Sequence, residues 1–399
     1  MKEVIKKDGK VFKMWVDYSR LDELAKQQIE DISKVPYVQS PVHIMADAHG
    51  GYGVPIGTVL KTKGRVIPSA VGNDIGCGMT CFVINKSPNN IDWERFLEVI
   101  NLMINKNCQD QEMRMNLLEA GYIEPVKTAG VSRYISNYKE DGRFSCVRRE
   151  LYKKAEEHFG TIGGGNHFIE AGETDDGRVY ILVHSGSRGL GSIVNTSYGS
   201  IACDFSEAVL VDGFNKDLAS LPVSPDLSEE LSSIGKDYLA FVDMLSEWAT
   251  ENRIYIANRI MCSMFGAIEN SDVAIVDCTH NFAKYDVKTD TVTHYKGANK
   301  TSSNVIIAGS SGTKSHIVQY KRNLHGFFCS HGAGRDMSRT VAKGCITQDE
   351  ADKATSHVLQ NSNPIDECPL AYKNIDVVMD AQSDLVRVIM TLYPKISFK

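Results

Sequence analysis

The sequence predicts an α+β fold: a single complex domain with central β-sheets flanked by helices. Three observations carry that prediction. Short runs rich in Val and Ile recur along the chain and end in loops of Gly, Ser, Asn and His, the pattern of strands that hold polar loops at a sheet edge. A segment at about 200–270 reads mostly helical, broken near Pro222 and Pro225. Neither an internal repeat nor a long linker divides the 399 residues, so 1–399 is read as one domain.

The elements follow in order. Val11–Val16 reads as a strand and Ser19–Ile32 as an amphipathic helix. The Val42–Met45 run predicts a buried strand, ending in a loop from Asp47 to Gly53 that is too rich in glycine for a helix. Strands at Gly57–Lys61 and Arg65–Val71 lead into Val71–Met79. Helical periodicity covers about 92–106, 108–120 and 139–158, the last with Arg143, Arg148, Arg149, Lys153 and Lys154. Strands are predicted at Val179–Val183, Val273–Val276 and Val305–Ala308, and a βα-like region from Val341 closes the chain with Asp376–Met390 helical.

Composition excludes several classes. Hydrophobic content of 42% and charged content of 24% suit a soluble globular protein. No apolar run approaches ~20 residues, so no membrane span is expected. The lysine-rich start lacks an apolar run behind it, so a cytoplasmic location is expected rather than secretion. Ten scattered cysteines without a Cys-x-x-Cys pair read as reduced thiols, not a disulfide scaffold. A net charge of −6 means that any nucleic acid must meet a local basic patch.

Chemistry concentrates in the loops. Asp74 and Cys77 stand three apart among Gly72, Gly76 and Gly78, and a carboxylate and a thiolate so placed can share a divalent cation. Gly163-Gly164-Gly165-Asn166-His167 precedes an apolar strand, a glycine run suited to something that comes close to the main chain. His184-Ser-Gly-Ser-Arg188-Gly offers an anion nest with an arginine beside it. Thr279-His280-Asn281 and Gly309-Ser310-Ser311 sit at further strand ends. His167, His184 and His280 with Asp74 and Cys77 make five ligands, too many for one tetrahedral ion and enough for two ions bridged by the thiolate. Zn, Mn, Fe and Co all remain open. His331, flanked by Gly332, Ala333 and Gly334 with Arg335 nearby, has room for a nucleotide, and a neutral imidazole attacks phosphorus well. A fourth metal ligand is the alternative role for it. The remaining histidines other than His49 have no special setting.

Taken together, Asp74-Ile-Gly-Cys77-Gly-Met, Gly163-Gly-Gly-Asn166-His167-Phe-Ile-Glu170, His184-Ser-Gly-Ser-Arg188-Gly, Thr279-His280-Asn281, Gly309-Ser310 with Gly312-Thr313, and His331-Gly-Ala-Gly-Arg335-Asp-Met-Ser-Arg339 resemble, over nearly the whole chain, the RtcB family of 3′-phosphate RNA splicing ligases. The resemblance implies an RtcB-like fold and two Mn²⁺ ions, one held by Asp74, Cys77 and His167 and the other by Cys77, His184 and His280. It implies that His331 takes GMP from GTP, passes it to an RNA 3′-phosphate obtained from a 2′,3′-cyclic phosphate, and that a 5′-hydroxyl end then displaces GMP. Nucleotide contacts carried over are Asn166, His167, Phe168, Ile169 and Glu170; His280 and Asn281; Ala308, Gly309, Ser310, Ser311 and Ser315; His331, Gly332, Ala333 and Gly334; and Lys399. Glu170 and Lys399 would read guanine and Tyr372 would stack on it. Arg188 would hold a phosphate and Asp47 would orient His331 or a water. Ala46, Ala308, Asn73 and Ser311 depart from the family's usual residues without removing a ligand or the nucleophile. tRNA splicing and repair of cleaved RNA are both compatible, and an archease-type activator is a further expected partner. A dinuclear metallophosphoesterase and a non-catalytic RNA-end-binding protein are the rival readings. Arg143, Arg148, Arg149, Lys314, Lys321 and Arg322 are candidates for the RNA groove.

Overall fold

A computed structural model describes residues 1–105, 145–207, 215–300, 304–321 and 328–399. Along the chain run β1 (Glu3–Lys7), β2 (Lys10–Met14), α1 (Glu23–Lys34), β3 (Val38–His49), β4 (Ile56–Lys63), β5 (Arg65–Val66), β6 (Gly78–Ile84), α2 (Trp93–Asn105) and α3 (Ser145–His158). Then come β7 (Phe168–Thr174), β8 (Val179–Ser185), α4 (Gly189–Glu207), β9 (Leu221–Pro222), α5 (Glu229–Phe265), β10 (Val273–Thr279), β11 (Asn281–Asp286), β12 (Thr291–Lys296) and β13 (Ala298–Lys300). The last part holds β14 (Val305–Ile307), β15 (Ser315–Tyr320), β16 (Phe328–Ser330), α6 (Arg339–Cys345), α7 (Gln348–Ala354), β17 (Leu359–Gln360), α8 (Ile375–Ala381) and β18 (Val386–Phe398).

Two large sheets organise the molecule, as the α+β expectation required. One has six strands in the order β1-β2-β3-β4-β12-β11; the other has eight, in the order β10-β6-β8-β7-β18-β15-β14 with β17 alongside β18. Side-chain alternation decides what each face does. In β6 and β8, Met79, Cys81, Val83, Tyr180 and Leu182 join Met45 and Val59 of the six-stranded sheet in one core. Their neighbours Phe82, Ile84, Ile181 and Val183 face the opposite way, against Ile256, Ile260 and Met261 of α5 and Phe96 and Ile100 of α2. With both faces covered, these strands read as unbroken apolar runs rather than alternating ones. Each such side chain taken fully out of water contributes about 1.5–3 kcal/mol, so β6 and β8 are held from both faces.

Helix α1 starts where Asp22 caps it by accepting from the amide of Ala25, and it lays Ala25, Ile29 and Ile32 on the outer face of β2 and β3. Helix α5, 37 residues long, is capped by Ser228 and stops at Gly266. It occupies Glu229–Phe265 of the segment read as mostly helical, and the break read near Pro222 coincides with β9. No helix among the described residues is long and apolar enough to cross a membrane.

Several boundaries differ from expectation. The loop expected from Asp47 is strand as far as His49, because β4 pairs with β3 up to His49↔Ile56. The strand expected over Arg65–Val71 stops at Val66: Pro68 has no N–H to give and opens a 3₁₀ turn. His184 and the Asp277–Thr279 segment lie within β8 and β10 rather than in the loops beyond them. The largest correction is at Asp376–Met390, read as helical. Helix ends at Ala381 and β18 begins at Val386, where β-branched Val386, Val388 and Thr391 pair with β15 and the later residues of the strand with β7. The helix expected over 108–120 lies outside the described residues.

Candidate active site

Strand order explains how residues distant in sequence meet. Strand β6 pairs with β10 through Gly78↔Thr279 and with β8 through Gly78↔Ser185 and Met79↔His184; β7 pairs with β8 through Phe168↔His184. The residues at these strand ends, Cys77, His167, His184 and His280, therefore share one edge of the sheet. Hydrogen bonds fix the turn before β6. Cys77 N–H donates to the Asp74 carbonyl (3.1 Å), Gly76 N–H to the Asn281 carbonyl (2.8 Å) and His280 N–H to the Cys77 carbonyl (2.9 Å). Gly186 is required beside this turn, since any Cβ there would land on the Asp74 carboxylate.

Two donor groups result, Asp74–Cys77–His167 and Cys77–His184–His280, each with one ligand atom per residue and all such atoms within 4.8 Å of one another. Cys77 Sγ is common to both, 3.6 Å from His167 Nε2 and 3.3 Å from His184 Nε2. His167 Nδ1 is 3.1 Å from the Ile162 carbonyl, which directs Nε2 toward Asp74 Oδ2 at 2.8 Å. Burial holds His184 and His280 far below the ordinary imidazole range, so both are neutral donors. Burial, then the Asp74 charge, pushes the Cys77 thiol well up, and burial would raise Asp74 too, but the His167 contact brings it below the usual carboxylate range. The buried Asp74 Oδ1, His184 Nδ1 and His280 Nδ1 have no hydrogen-bond partner among the described residues. A thiol, imidazoles and a carboxylate with unsatisfied atoms fit a divalent metal, whose charge would offset the cost of a buried thiolate.

His331 stands beside this edge, its ring centroid 4.6 Å from that of His280. Asp47, fully buried, places Oδ2 2.7 Å from His331 Nδ1, close but off the line of the ring N–H, and accepts from the His331 and Gly332 amides (3.1 and 3.3 Å). Burial would raise the Asp47 carboxyl; the nearby His331 and Lys373 charges hold it below its usual range.

A cleft of about 810 Å³ opens over both groups. Asp74, Cys77, Asn166, Phe168, Glu170, His184, His280, Asn281, Ala308 to Ser311, His331 to Gly334, Tyr372 and Lys399 all line it. Ile169 does not: strand alternation turns it into the core behind β7. Ser315 lies beneath the floor, its Oγ accepting from the Gly309 amide at 3.1 Å. Arg188 folds against the glycine loop 3.3 Å from His167 Nδ1, with its own backbone in the left-handed region (φ 59°). Gly163 (φ 94°) faces it, and a Cβ there would fall on the guanidinium.

Glu170 is buried, takes the Tyr180 hydroxyl at 2.5 Å, and is pushed up to about 8 by that burial. Two wall residues carry no sequence signal. Glu367, in a 3₁₀ turn, binds Arg335 (2.5 Å), the Tyr372 hydroxyl (2.6 Å) and Lys399 (3.1 Å). Lys296 is buried, donates to the carbonyls of Tyr52 and Ser69, and is brought down to about 7 by burial. Of the basic groove candidates, Lys314 pairs with Asp376 (2.7 Å) and Lys321 donates to the Ser383 carbonyl (2.8 Å). Arg143 and Arg322, and the side chains of Arg148 and Arg149, lie outside the described residues.

Fold and site define an α+β protein with paired Asp/Cys/His donor sets at one sheet edge, beside a histidine backed by a buried carboxylate. The family model described as "tRNA-splicing ligase RtcB" matches residues 28–399. RNA-splicing ligase RtcB1 of Escherichia coli is 32% identical, with 98% of this chain and 97% of that protein covered. RNA-splicing ligase RtcB2 of Escherichia coli is 28% identical over 98% and 95%, and tRNA-splicing ligase RtcB of Archaeoglobus fulgidus 27% over 90% and 87%. The chain belongs to the RtcB family of RNA-splicing ligases.

Proposed function

We propose that this chain is a cytoplasmic, GTP- and Mn²⁺-dependent RNA ligase, one domain over 1–399, that joins RNA 3′-phosphate or 2′,3′-cyclic phosphate ends to 5′-hydroxyl ends. One observation carries the reading: a histidine on a buried carboxylate stands one ring away from the Cys77–His184–His280 group, with the 810 Å³ cleft over both. Asp74, Cys77 and His167 would hold one Mn²⁺ and Cys77, His184 and His280 the other. When bound, the pair supplies positive charge to phosphate oxygens.

With Nδ1 turned to Asp47, His331 keeps Nε2 for attack on the α-phosphate of GTP. An N–P bond forms and pyrophosphate leaves. The RNA 3′-phosphate then attacks the guanylate, breaking the N–P bond and freeing His331 as RNA(3′)pp(5′)G forms. A 5′-hydroxyl attacks the 3′-phosphate of that end, forming the new phosphodiester and expelling GMP. Glu170 and Lys399 would select guanine, with Tyr372 and Phe168 flanking the base. Asn166, Asn281, the Ala308–Ser311 turn and Gly332–Gly334 would cradle the rest of the nucleotide, and Arg188 would hold the 3′-phosphate. Both tRNA splicing and repair of cleaved RNA fit this chemistry, and an archease-type activator is the expected protein partner.

Incubation with Mn²⁺ and α-labelled GTP tests the reading. Label should stay on the denatured protein, be acid-labile and alkali-stable, and vanish in His331→Ala. Wild-type protein that opens cyclic phosphates without taking label would instead be a metallophosphoesterase.

A further inference from the structure

Helix α5 contributes one charged side chain to the interior of the site's supporting structure. Arg253 is fully buried behind the donor edge. Its Nη1 donates to two main-chain carbonyls, Gly76 and Ser185, each at 3.0 Å. Nη2 donates to Asp277 Oδ1 (2.9 Å) and Thr250 Oγ1 (2.8 Å), and Nε to Thr80 Oγ1 (3.1 Å). Every N–H of the guanidinium is used.

The identity of the acceptors matters more than their number. Gly76 precedes Cys77, Ser185 follows His184, and Asp277 lies three residues before His280 on β10. One planar group thus grips each of the three segments that deliver Cys77, His184 and His280. Asp74 and His167, the donors peculiar to the other group, are fixed by different contacts, the Asn281 amide on the Asp74 carbonyl (3.1 Å) and the Ile162 carbonyl on His167. Asp277 also accepts from Thr80 Oγ1 (2.5 Å) and neutralises the guanidinium, so a positive charge can lie behind a cation site without repelling its ion.

We infer that Arg253 is the positioning residue of the Cys77–His184–His280 cation site, setting the spacing of its three donors, while in the Asp74–Cys77–His167 site it bears on the shared Cys77 alone. The inference rests on the two-cation reading above. A lysine keeps the charge beside Asp277 but has three donors on one point and no planar fork, so it cannot hold the Gly76 and Ser185 carbonyls, Thr80, Thr250 and Asp277 all at once.

Mn²⁺ titration of the full chain, followed by the loss of the free-ion electron paramagnetic resonance signal, reads each site without turnover. Co²⁺ titration adds the thiolate-to-metal absorption of Cys77. Wild type should take two equivalents. Arg253→Lys should weaken the second equivalent at least ~10-fold, the usual scale for loss of a group that orients metal ligands, and the first by clearly less, since Cys77 alone of its donors is gripped by the guanidinium. Unchanged affinity at both sites, or equal weakening at both in a folded variant, would overturn the inference. Should the lysine variant not fold, Asp277→Asn carries the same test: it loosens the guanidinium from its anchor and should weaken the second equivalent more than the first. Wild-type protein that takes fewer than two equivalents would overturn the two-cation reading itself, and this inference with it.

Discussion

Replacing Asp47 with asparagine isolates what the buried carboxylate does for His331. The change keeps an oxygen able to accept from the His331 and Gly332 amides, so the loop should hold its shape. It removes the negative charge 2.7 Å from Nδ1. At an effective dielectric of about 20, a full charge on the ring at that distance would interact by ~6 kcal/mol, an upper bound. Once the ring turns its N–H into line with Asp47, a hydrogen bond to a charged group is worth about 1.5–3 kcal/mol, the better guide here. At ~1.4 kcal/mol per factor of ten, guanylylation of His331 should slow by ~10- to 150-fold. Single-turnover transfer from α-labelled GTP to the protein measures this, with Mn²⁺ stoichiometry as the control for an intact centre. A rate within twofold of wild type would refute the orienting role. Stability gives a second reading. Because the folded carboxyl lies below its unfolded value near ~3.9, its contribution is present above that pH and lost as pH falls through the folded value. Asp47→Asn should lack that loss.

Other outcomes follow from the same geometry. Cys77→Ala should lose both cations in Mn²⁺ titration, since Sγ is common to both groups; two tightly held ions in the variant would contradict the shared thiolate. Gly163→Ala puts a methyl onto the Arg188 guanidinium at φ 94° and should cost about 1–3 kcal/mol in unfolding free energy. Its RNA joining should fall ~10-fold or more with guanylylation of His331 nearly kept; equal loss of both steps would separate Arg188 from the RNA phosphate. Glu170, raised to about 8, binds its proton more tightly folded than unfolded. Stability should therefore fall as pH rises from ~5 to ~8, by up to about 1.4 kcal/mol per pH unit. Glu170→Gln should flatten that slope in denaturant titrations across the range.

The donor loops were legible because the glycines and aspartate suit a turn, while a thiol and three imidazoles recurring at the ends of apolar runs are more than a turn needs. Asp74, Cys77, His167, His184 and His280 announced themselves in this way. Their grouping depended on β10, β6, β8 and β7 lying side by side, an order no local pattern states. Glu367 stayed hidden in a Pro-flanked turn, and Arg253 sat in a long helix that carries no motif. Strand β18 was misread because α8 supplies true helical spacing at Ile375, Val378 and Met379 just before it. A strand paired on both sides with mixed exposure then offers no clean alternation to correct the impression.

The placement of β18 bears on how the protein is made. Residues 386–398 run down the middle of the eight-stranded sheet, between partners that leave the ribosome long before them. Strand β7 must wait with one hydrogen-bonding edge bare, and β15 cannot join the sheet until its neighbour arrives. Pairing over more than two hundred residues, such as Phe398↔Ile169, makes this step slow and exposes the unfinished edge to other chains. The same insertion brings Lys399 to the cleft wall, so the cleft is completed only after the sheet has closed.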